Sequence, residues 1–91
     1  MKALTEESIN KELLKVADWY FKDNAIEKKF VFKDFNQALG FIVQVGLLAE
    51  KRNHHPELFN VYNKITIRLN THDAKGVSEK DFDLAKAINE L

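Results

Sequence analysis

Three histidines carry the side chains best suited to chemistry in this sequence of 91 residues. His54 and His55 are adjacent, and His72 follows the β-forming segment 58–69. A hairpin turn at Asn63-Lys64 within that segment would place His55 opposite His72, with Cβ atoms about 5 Å apart if the pairing extends that far. The sequence therefore predicts that the three imidazoles gather at one end of a sheet.

Such a cluster suits proton transfer. An imidazole exchanges protons near neutral pH because its ordinary pKa is about 6.5. Two imidazoles on opposite sides of a small molecule could act as an acid and a base together. Zinc is an alternative, since some catalytic sites hold it with three nitrogens and a water. Adjacent histidines rarely point to one metal, however, and there is no cysteine. Acid–base chemistry is favoured over zinc and over histidines without a role.

Two hairpins are predicted to form the sheet that carries these histidines. The first joins 19–21 to 26–32 through a turn at Asp23-Asn24. The second spans residues 58–69 and turns at Asn63-Lys64, so that Leu58 would pair with Leu69. One long strand is the alternative for this segment, but ordinary strand lengths favour the hairpin.

Three helices are predicted around the hairpins. The first begins at Thr5, the long second one follows Asp34 with Gln37, and the last follows Ser78 with Asp81, the two pairs having the spacing of capping boxes. The order is helix, two strands, helix, two strands, helix. We therefore expect an α+β fold with two layers, a four-stranded antiparallel sheet with three helices on one face, in one domain over residues 1–91.

The long helix is apolar on most of its surface. We expect its core stripe to consist of Phe35, Leu39, Ile42, Val43, Gly46 and Ala49. Further apolar side chains lie outside that stripe, namely Phe41, Val45 and Leu48. A helix that is apolar on nearly all sides must be covered on more than one side. We therefore expect self-association through this helix.

Composition excludes several classes of partner. The formal net charge is zero, from fourteen basic and fourteen acidic residues. Nucleic acids and anionic membranes both need a basic surface, so neither is expected as a partner. The longest apolar stretch, 38–49, is interrupted by Gln44 and is too short to cross a bilayer. The lack of cysteine fits a reducing compartment, and we expect a cytoplasmic protein.

The residues around the histidines also resemble a known family. The stretches 49–57 and 59–64 resemble the pattern of the pterin-4a-carbinolamine dehydratases. The resemblance extends from about Trp19 to the end of the chain. Further matching positions are Phe32-Lys33-Asp34-Phe35-Asn36, Ala38, Gly40-Phe41, Thr71-His72, Gly76, Ser78-Glu79 and Asp81.

This resemblance implies an activity. Members of the family remove water from 4a-hydroxytetrahydrobiopterin to give quinonoid dihydrobiopterin, which regenerates the cofactor of aromatic amino acid hydroxylases. They need no metal or organic cofactor, and they form homodimers or homotetramers. The resemblance therefore implies a pterin substrate, a homo-oligomer and a possible link to a hydroxylase pathway.

Residue roles carried over from the family fall on the histidine cluster. His54 and His72 are expected to transfer protons, and His55 to bind and orient the pterin. Glu50 and Asp81 match acidic positions and are expected to make supporting hydrogen bonds. The rest of the expected binding and supporting set is Asn53, Pro56, Leu58, Phe59 and Asp73.

Two positions depart from the family pattern. The family often has tryptophan at the position of Leu58 and aspartate at that of Asn53. The first change removes an aromatic wall and the second removes a charge near the first histidine. Both put substrate affinity and rate in question, but not the reaction class.

A function of another class is also possible. Animal members resembling this sequence also serve as dimerization cofactors of a homeodomain transcription factor. In this chain such a protein-binding role would use Phe41, Val45 and Leu48 on the long helix.

Overall fold

The computed structural model describes residues 2–91 and has the predicted order of elements. The bounds are α1 Glu6–Leu13, β1 Tyr20–Lys22, β2 Ala25–Val31, α2 Phe35–Arg52, β3 Glu57–Val61, β4 Lys64–Leu69 and α3 Glu79–Asn89. The strands form one antiparallel sheet in the order β1-β2-β4-β3. A short 3₁₀ turn at His72–Ala74 was not predicted.

All three predicted helix starts are confirmed by their caps. The Thr5 side chain accepts a hydrogen bond from the Ser8 amide at 3.1 Å, and Asp34 accepts one from the Gln37 amide at 2.9 Å. Ser78 begins α3 with a complete capping box. Each cap satisfies an amide that the first helical turn leaves without a partner.

The core lies between the sheet and the helices, and alternate strand residues supply it. Ile26, Ile65, Ile67 and Leu69 are fully buried. Lys28 shares this face of β2, where its ammonium donates to the Asn89 side chain of α3 at 2.8 Å and lies 4.9 Å from a phenylalanine ring centroid. A lysine is tolerated on the apolar face because its charge has found these partners.

The predicted core stripe of α2 is only partly correct. Ala49 is buried and Ile42 packs against the core as expected, but Phe35, Leu39 and Val43 are exposed. The buried residues of α2 are Ala38, Val45 and Ala49. Val45 was expected on the outer surface but is fully buried. The exposed stripe follows a spacing of four residues and consists of Phe35, Leu39, Val43 and Leu47. The helix is apolar on both sides, so the sequence does not distinguish the face that meets the sheet.

The second hairpin is confirmed, but its turn is displaced. Leu58 pairs with Ile67, not with Leu69, and the turn residues are Tyr62 and Asn63. Tyr62 takes the left-handed conformation with φ of 52°. The pairing is shifted by two residues, so each side chain stays on its predicted face. His55 and His72 are therefore not directly opposite in this register.

Candidate active site

The structure brings the three histidines to one cleft at the end of the sheet. His54 and His55 follow α2, and His72 begins the 3₁₀ turn after β4. The cleft has a volume of about 270 Å³. Its walls are formed by Asn53, His54, His55, Asn70, Thr71, His72, Asp73 and Lys80.

Asn53 sends the two adjacent histidines in different directions. It ends α2 in the left-handed conformation, with φ of 50° and ψ of 43°. Asparagine enters this region more readily than most residues. The His54 amide then donates back to the Ala49 carbonyl at 3.1 Å. After this turn His54 is buried and His55 is exposed.

His54 is fixed by a buried carboxylate. Its Nε2 lies 2.5 Å from Oδ1 of Asp81, which has no exposed surface. Oδ2 of Asp81 accepts hydrogen bonds at 2.9 Å from the Thr71 hydroxyl and from the Ser78 amide. The single Thr71 hydroxyl proton is used there, so the Ser78 hydroxyl donates to Thr71 at 2.5 Å. Both oxygens of the carboxylate are thus satisfied, and the imidazole ring is held in one orientation.

This arrangement leaves one ring nitrogen of His54 for a ligand. Nε2 is engaged by Asp81, and Nδ1 makes no hydrogen bond within residues 2–91. Among those residues no buried side-chain nitrogen or oxygen lacks a partner. Nδ1 is therefore accessible from outside the core, which a proton-transfer group requires.

His55 and His72 occupy the exposed side of the cleft. His55 Nε2 lies 2.7 Å from the Glu50 carboxylate, and the two side chains are 58% and 79% exposed. The loop that carries His72 is closed by a bridge between Thr71 and Gly76, whose carbonyl accepts from the Thr71 amide at 2.9 Å. His72 is therefore exposed but attached to a fixed piece of backbone.

Gly76 closes that loop where a side chain would not fit. A Cβ atom at this position would lie 3.0 Å from the Cβ of Ala3 and 3.3 Å from the Asn24 side chain. The glycine therefore allows the N-terminal segment and the first hairpin to approach the His72 loop closely.

A second cleft of about 320 Å³ adjoins the first and shares His55, Asn70 and His72 with it. Its remaining walls are Asp23, Asn24, Ala25, Glu57 and Arg68. Sequence reasoning did not identify this second cleft, because residues from three strands meet there without a local motif.

An ionic network lies beside the second cleft. Arg68 donates to the Glu27 carboxylate at 2.8 Å, and the Tyr20 hydroxyl donates to the same group. The Tyr20 hydrogen bond and Arg68 hold the pKa of Glu27 below its ordinary value. The same hydrogen bond, with burial, raises the pKa of Tyr20. Glu27 likewise raises the pKa of Arg68, chiefly through their hydrogen bond.

The other predicted site residues are distributed between the cleft and its surroundings. Asn53 and Asp73 line the first cleft. Pro56 is partly buried between His55 and β3, and Leu58 packs against the core. Phe59 is 57% exposed and lies in a separate surface depression with Val31 and Val61. The lining residues that were not among the predicted site residues are Asn70, Thr71 and Lys80. Of these, only Thr71 has a sequence signal, as a position that matches the family pattern.

Two further observations concern metals and membranes. Within residues 2–91, no three histidine, cysteine or acidic side chains are arranged to hold a metal ion. In the same part of the chain, no helix combines the length and the apolar character needed to span a bilayer.

Comparison with known proteins identifies the family. Residues 2–91 match the family model described as pterin 4 alpha carbinolamine dehydratase. The chain belongs to this family. A relative from Sulfurisphaera tokodaii, provisionally named pterin-4-alpha-carbinolamine dehydratase, is 47% identical over 100% of this chain and 98% of its own. A relative from Rhodopseudomonas palustris with the same provisional name is 46% identical over 100% of this chain and 92% of its own.

Two solved structures have a fold like that of this chain. A crystal structure of a transcriptional coactivator/pterin dehydratase from Brucella melitensis superposes with a TM-score of 0.94 at 43% identity, covering 98% of this chain and 97% of the other. A pterin dehydratase-like protein identified as a RuBisCO assembly factor in the alpha-carboxysome gives a TM-score of 0.65 at 19% identity, covering 79% of this chain and 83% of the other. The second likeness concerns the fold alone.

Proposed function

We propose that this protein dehydrates 4a-hydroxytetrahydropterins, with 4a-hydroxytetrahydrobiopterin as the substrate and quinonoid dihydrobiopterin and water as the products. The observation that carries the proposal is the convergence of three imidazoles on one cleft, one of them fixed by a buried carboxylate. Membership of the dehydratase family supports the same reaction. The proposal takes residues 1–91 as one catalytic domain.

The reaction needs an acid and a base on one small ring system. The C4a hydroxyl is a poor leaving group until it receives a proton. The lone pair of N5 then forms a double bond to C4a as the C–O bond breaks and water departs. A ring N–H must lose its proton to give the neutral quinonoid product. Positioned acids and bases contribute about a hundredfold or more to such steps.

The geometry suggests a role for each histidine. His54 is held by Asp81 and presents Nδ1 for proton transfer. His72 faces the same cleft from the loop after β4 and supplies the second transferring group. His55 binds and orients the pterin, with its ring held by Glu50. No step in this scheme requires a metal or an organic cofactor.

Stopped-flow kinetics with freshly generated 4a-hydroxytetrahydrobiopterin test the proposal. The protein should accelerate dehydration over the spontaneous rate, and His54→Ala and His72→Ala should each lower kcat by about a hundredfold or more. Lys51→Ala, at an exposed position on α2 outside the cleft, is the control and should retain full activity. Spontaneous rates with the unmodified protein would refute the proposal.

The biological setting follows from the product. Quinonoid dihydrobiopterin is the form that a reductase returns to tetrahydrobiopterin, so the reaction belongs to the recycling of a hydroxylase cofactor. We propose a cytoplasmic location, because the absence of cysteine fits a reducing compartment.

A second candidate function uses the outer face of α2. The exposed stripe consists entirely of large apolar side chains, unlike a helix face that stays in contact with water. Its members are Phe35, Leu39, Val43 and Leu47. Together with the description of the Brucella relative as a transcriptional coactivator as well as a dehydratase, it supports a homodimer or homotetramer, or a contact with another protein, through this helix. The stripe replaces Phe41, Val45 and Leu48 as the expected contact, because Val45 is buried.

Matched variants of α2 test this contact. Val43→Lys should lower the oligomeric state in sedimentation while the fold persists. Gln44→Lys, an exposed polar position on the same helix, should leave assembly unchanged. Equal sedimentation of both variants and the unmodified protein would refute a subunit contact through the stripe.

A further inference from the structure

We infer that the second cleft is a subsite for the substituent at C6 of the pterin, and that Arg68 is the positioning residue that holds its wall. The inference rests on the proposed function. It assigns the second cleft, and residues outside the histidine cluster, to the selection of one pterin over another.

The second cleft adjoins the first. All three imidazoles line the first cleft, so the reacting part of the pterin lies there. His55, Asn70 and His72 belong to both clefts. C6 of the pterin is joined through N5 to the reacting C4a, so a group on C6 starts close to the reaction centre. It can extend past the shared residues into the second cleft.

One wall of the second cleft is the turn at Asp23 and Asn24, which are both left-handed with φ of 49° and 61°. Arg68 donates to the carbonyl of Lys22 at 3.3 Å and to that of Asp23 at 3.1 Å. Its guanidinium therefore ties the turn to β4, which lies beside the histidines.

Two amide side chains strengthen the same wall. Asn70 donates to the Asn24 carbonyl at 2.6 Å, and the Asn24 side chain donates to the Lys75 carbonyl at 3.1 Å. The turn is thus attached to β4 and to the loop of His72. A short hairpin turn that only faces solvent does not need this many hydrogen bonds to the rest of the fold. The wall of a binding site does, because it must be held in a fixed position.

The positive charge of Arg68 is balanced within the protein. Arg68 is already engaged by Glu27 at 2.8 Å and by Glu57 at 3.4 Å, in addition to the two carbonyls. The lowered pKa of Glu27 and the raised pKa of Arg68 keep this pair ionised at neutral pH. Asp23 is also among the residues that line the cleft. Since the one guanidinium is neutralised and two acids line the cleft, it suits a neutral hydroxyl-bearing substituent and disfavours an anionic one.

The experiment compares two substrates, 4a-hydroxytetrahydrobiopterin and the analogue with a methyl group in place of the dihydroxypropyl group at C6. Arg68→Gln should raise KM for the dihydroxypropyl substrate roughly three- to tenfold, the size expected when one or two hydrogen bonds to a ligand are lost. KM for the methyl substrate and kcat for both should stay within about twofold. Lys29→Gln, which removes a charge from the same open sheet face outside the cleft, should change neither constant.

A second variant protects the test against a folding defect. Asn24→Gly preserves the left-handed conformation of the turn, which glycine adopts easily. It removes only the side-chain amide that donates to the Lys75 carbonyl. It should raise the same KM selectively, with a circular dichroism spectrum identical to that of the unmodified protein. Selective effects of both variants would support the subsite.

Other outcomes separate this inference from the proposed function. If the unmodified protein accelerates neither substrate, the proposed function fails and the subsite fails with it. If it accelerates both, but the variants alter the two substrates equally or alter neither, the proposed function stands and the subsite is refuted. If a pterin with a carboxylate at C6 binds more tightly than the dihydroxypropyl pterin, the subsite inference is also overturned.

Discussion

Two imidazole–carboxylate pairs lie side by side at the cleft and differ in almost everything except their chemistry. His54 and Asp81 are 2.5 Å apart, and the side chains are 10% and 0% exposed. His55 and Glu50 are 2.7 Å apart, but their side chains are 58% and 79% exposed. One pair is part of the folded core, and the other lies in water.

The difference shows what burial adds to the same contact. Asp81 also satisfies Thr71 and Ser78, so its loss would leave several buried polar groups without partners. Such groups are costly because water cannot replace the missing partner. At the exposed pair, water replaces either partner at once. The buried pair therefore orients a ring and stabilises the fold, whereas the exposed pair only biases a side chain.

The largest effect is expected from Asp81→Ala. It should lower the free energy of unfolding by about 3 kcal/mol or more, since the buried groups of His54, Thr71 and Ser78 all lose a partner. It should also lower kcat, because the His54 ring is no longer held. Urea denaturation and the dehydration assay measure the two effects.

Asp83→Ala is the matched control for this change. Asp83 lies on the same helix with its side chain 65% exposed, paired with Arg52 at 2.7 Å. Its loss should cost less than about 1 kcal/mol. If the two alanine variants unfold at the same urea concentration, the contrast between buried and exposed carboxylates is wrong.

An intermediate effect is expected from Glu27→Gln. Glu27 is 5% exposed and is bonded to Arg68 and Tyr20. The change should cost about 1.5–3 kcal/mol at neutral pH, the range for hydrogen bonds to charged groups. Because the folded pKa of Glu27 is lowered from its ordinary value near 4.5, the unfolded chain binds the proton more readily.

The sign of the pH dependence follows from that lowered pKa. The stabilisation by Glu27 is complete above its unfolded pKa and is lost as the pH falls through its folded pKa. The difference between unmodified protein and variant should therefore shrink as the pH is lowered from about 5. Glu57→Gln, which contacts the same arginine from an exposed position, should show a smaller difference at every pH. A constant difference for Glu27→Gln would contradict the assignment.

The smallest effect is expected from Glu50→Gln. Its stability cost should be below about 0.5 kcal/mol, as for most exposed ion pairs. Any kinetic change should appear in KM, because Glu50 holds the ring of His55, the residue to which the proposed mechanism assigns pterin binding. A fall in kcat as large as that of Asp81→Ala would place the exposed pair on the same footing as the buried one.

The sequence predicts local structure well where a local signal exists. Thr5, Asp34 and Ser78 were identified as helix starts because a cap and its helix are only a few residues apart. Asp23 and Asn24 were identified as a turn for the same reason. The three histidines were placed at one end of the sheet by the predicted second hairpin. They line one cleft there, although the register of that hairpin was off by two residues.

Tertiary choices were less accessible. The core face of α2 was predicted only in part because Val43 and Val45 are equally apolar and only packing decides between them. The turn at Tyr62 was missed because a tyrosine with φ of 52° has no sequence signal. The Asn60 side chain stabilises that turn by donating to the carbonyls of Tyr62 and Lys64, at 3.1 and 3.0 Å. The partnership of His54 with Asp81 likewise joins residues on different elements.

Because α2 ends in the left-handed conformation at Asn53, the number of residues between Glu50 and His54 determines which side chain contacts Asp81. One residue added or removed between Glu50 and His54 would rotate the chain so that a different side chain arrives above Asp81. The core carboxylate would then face a neighbour of the imidazole it now holds, and the outer rim would receive the wrong ring. We therefore expect that loop-length variation, which surface turns elsewhere tolerate, would separate His54 from Asp81 at this corner of the fold.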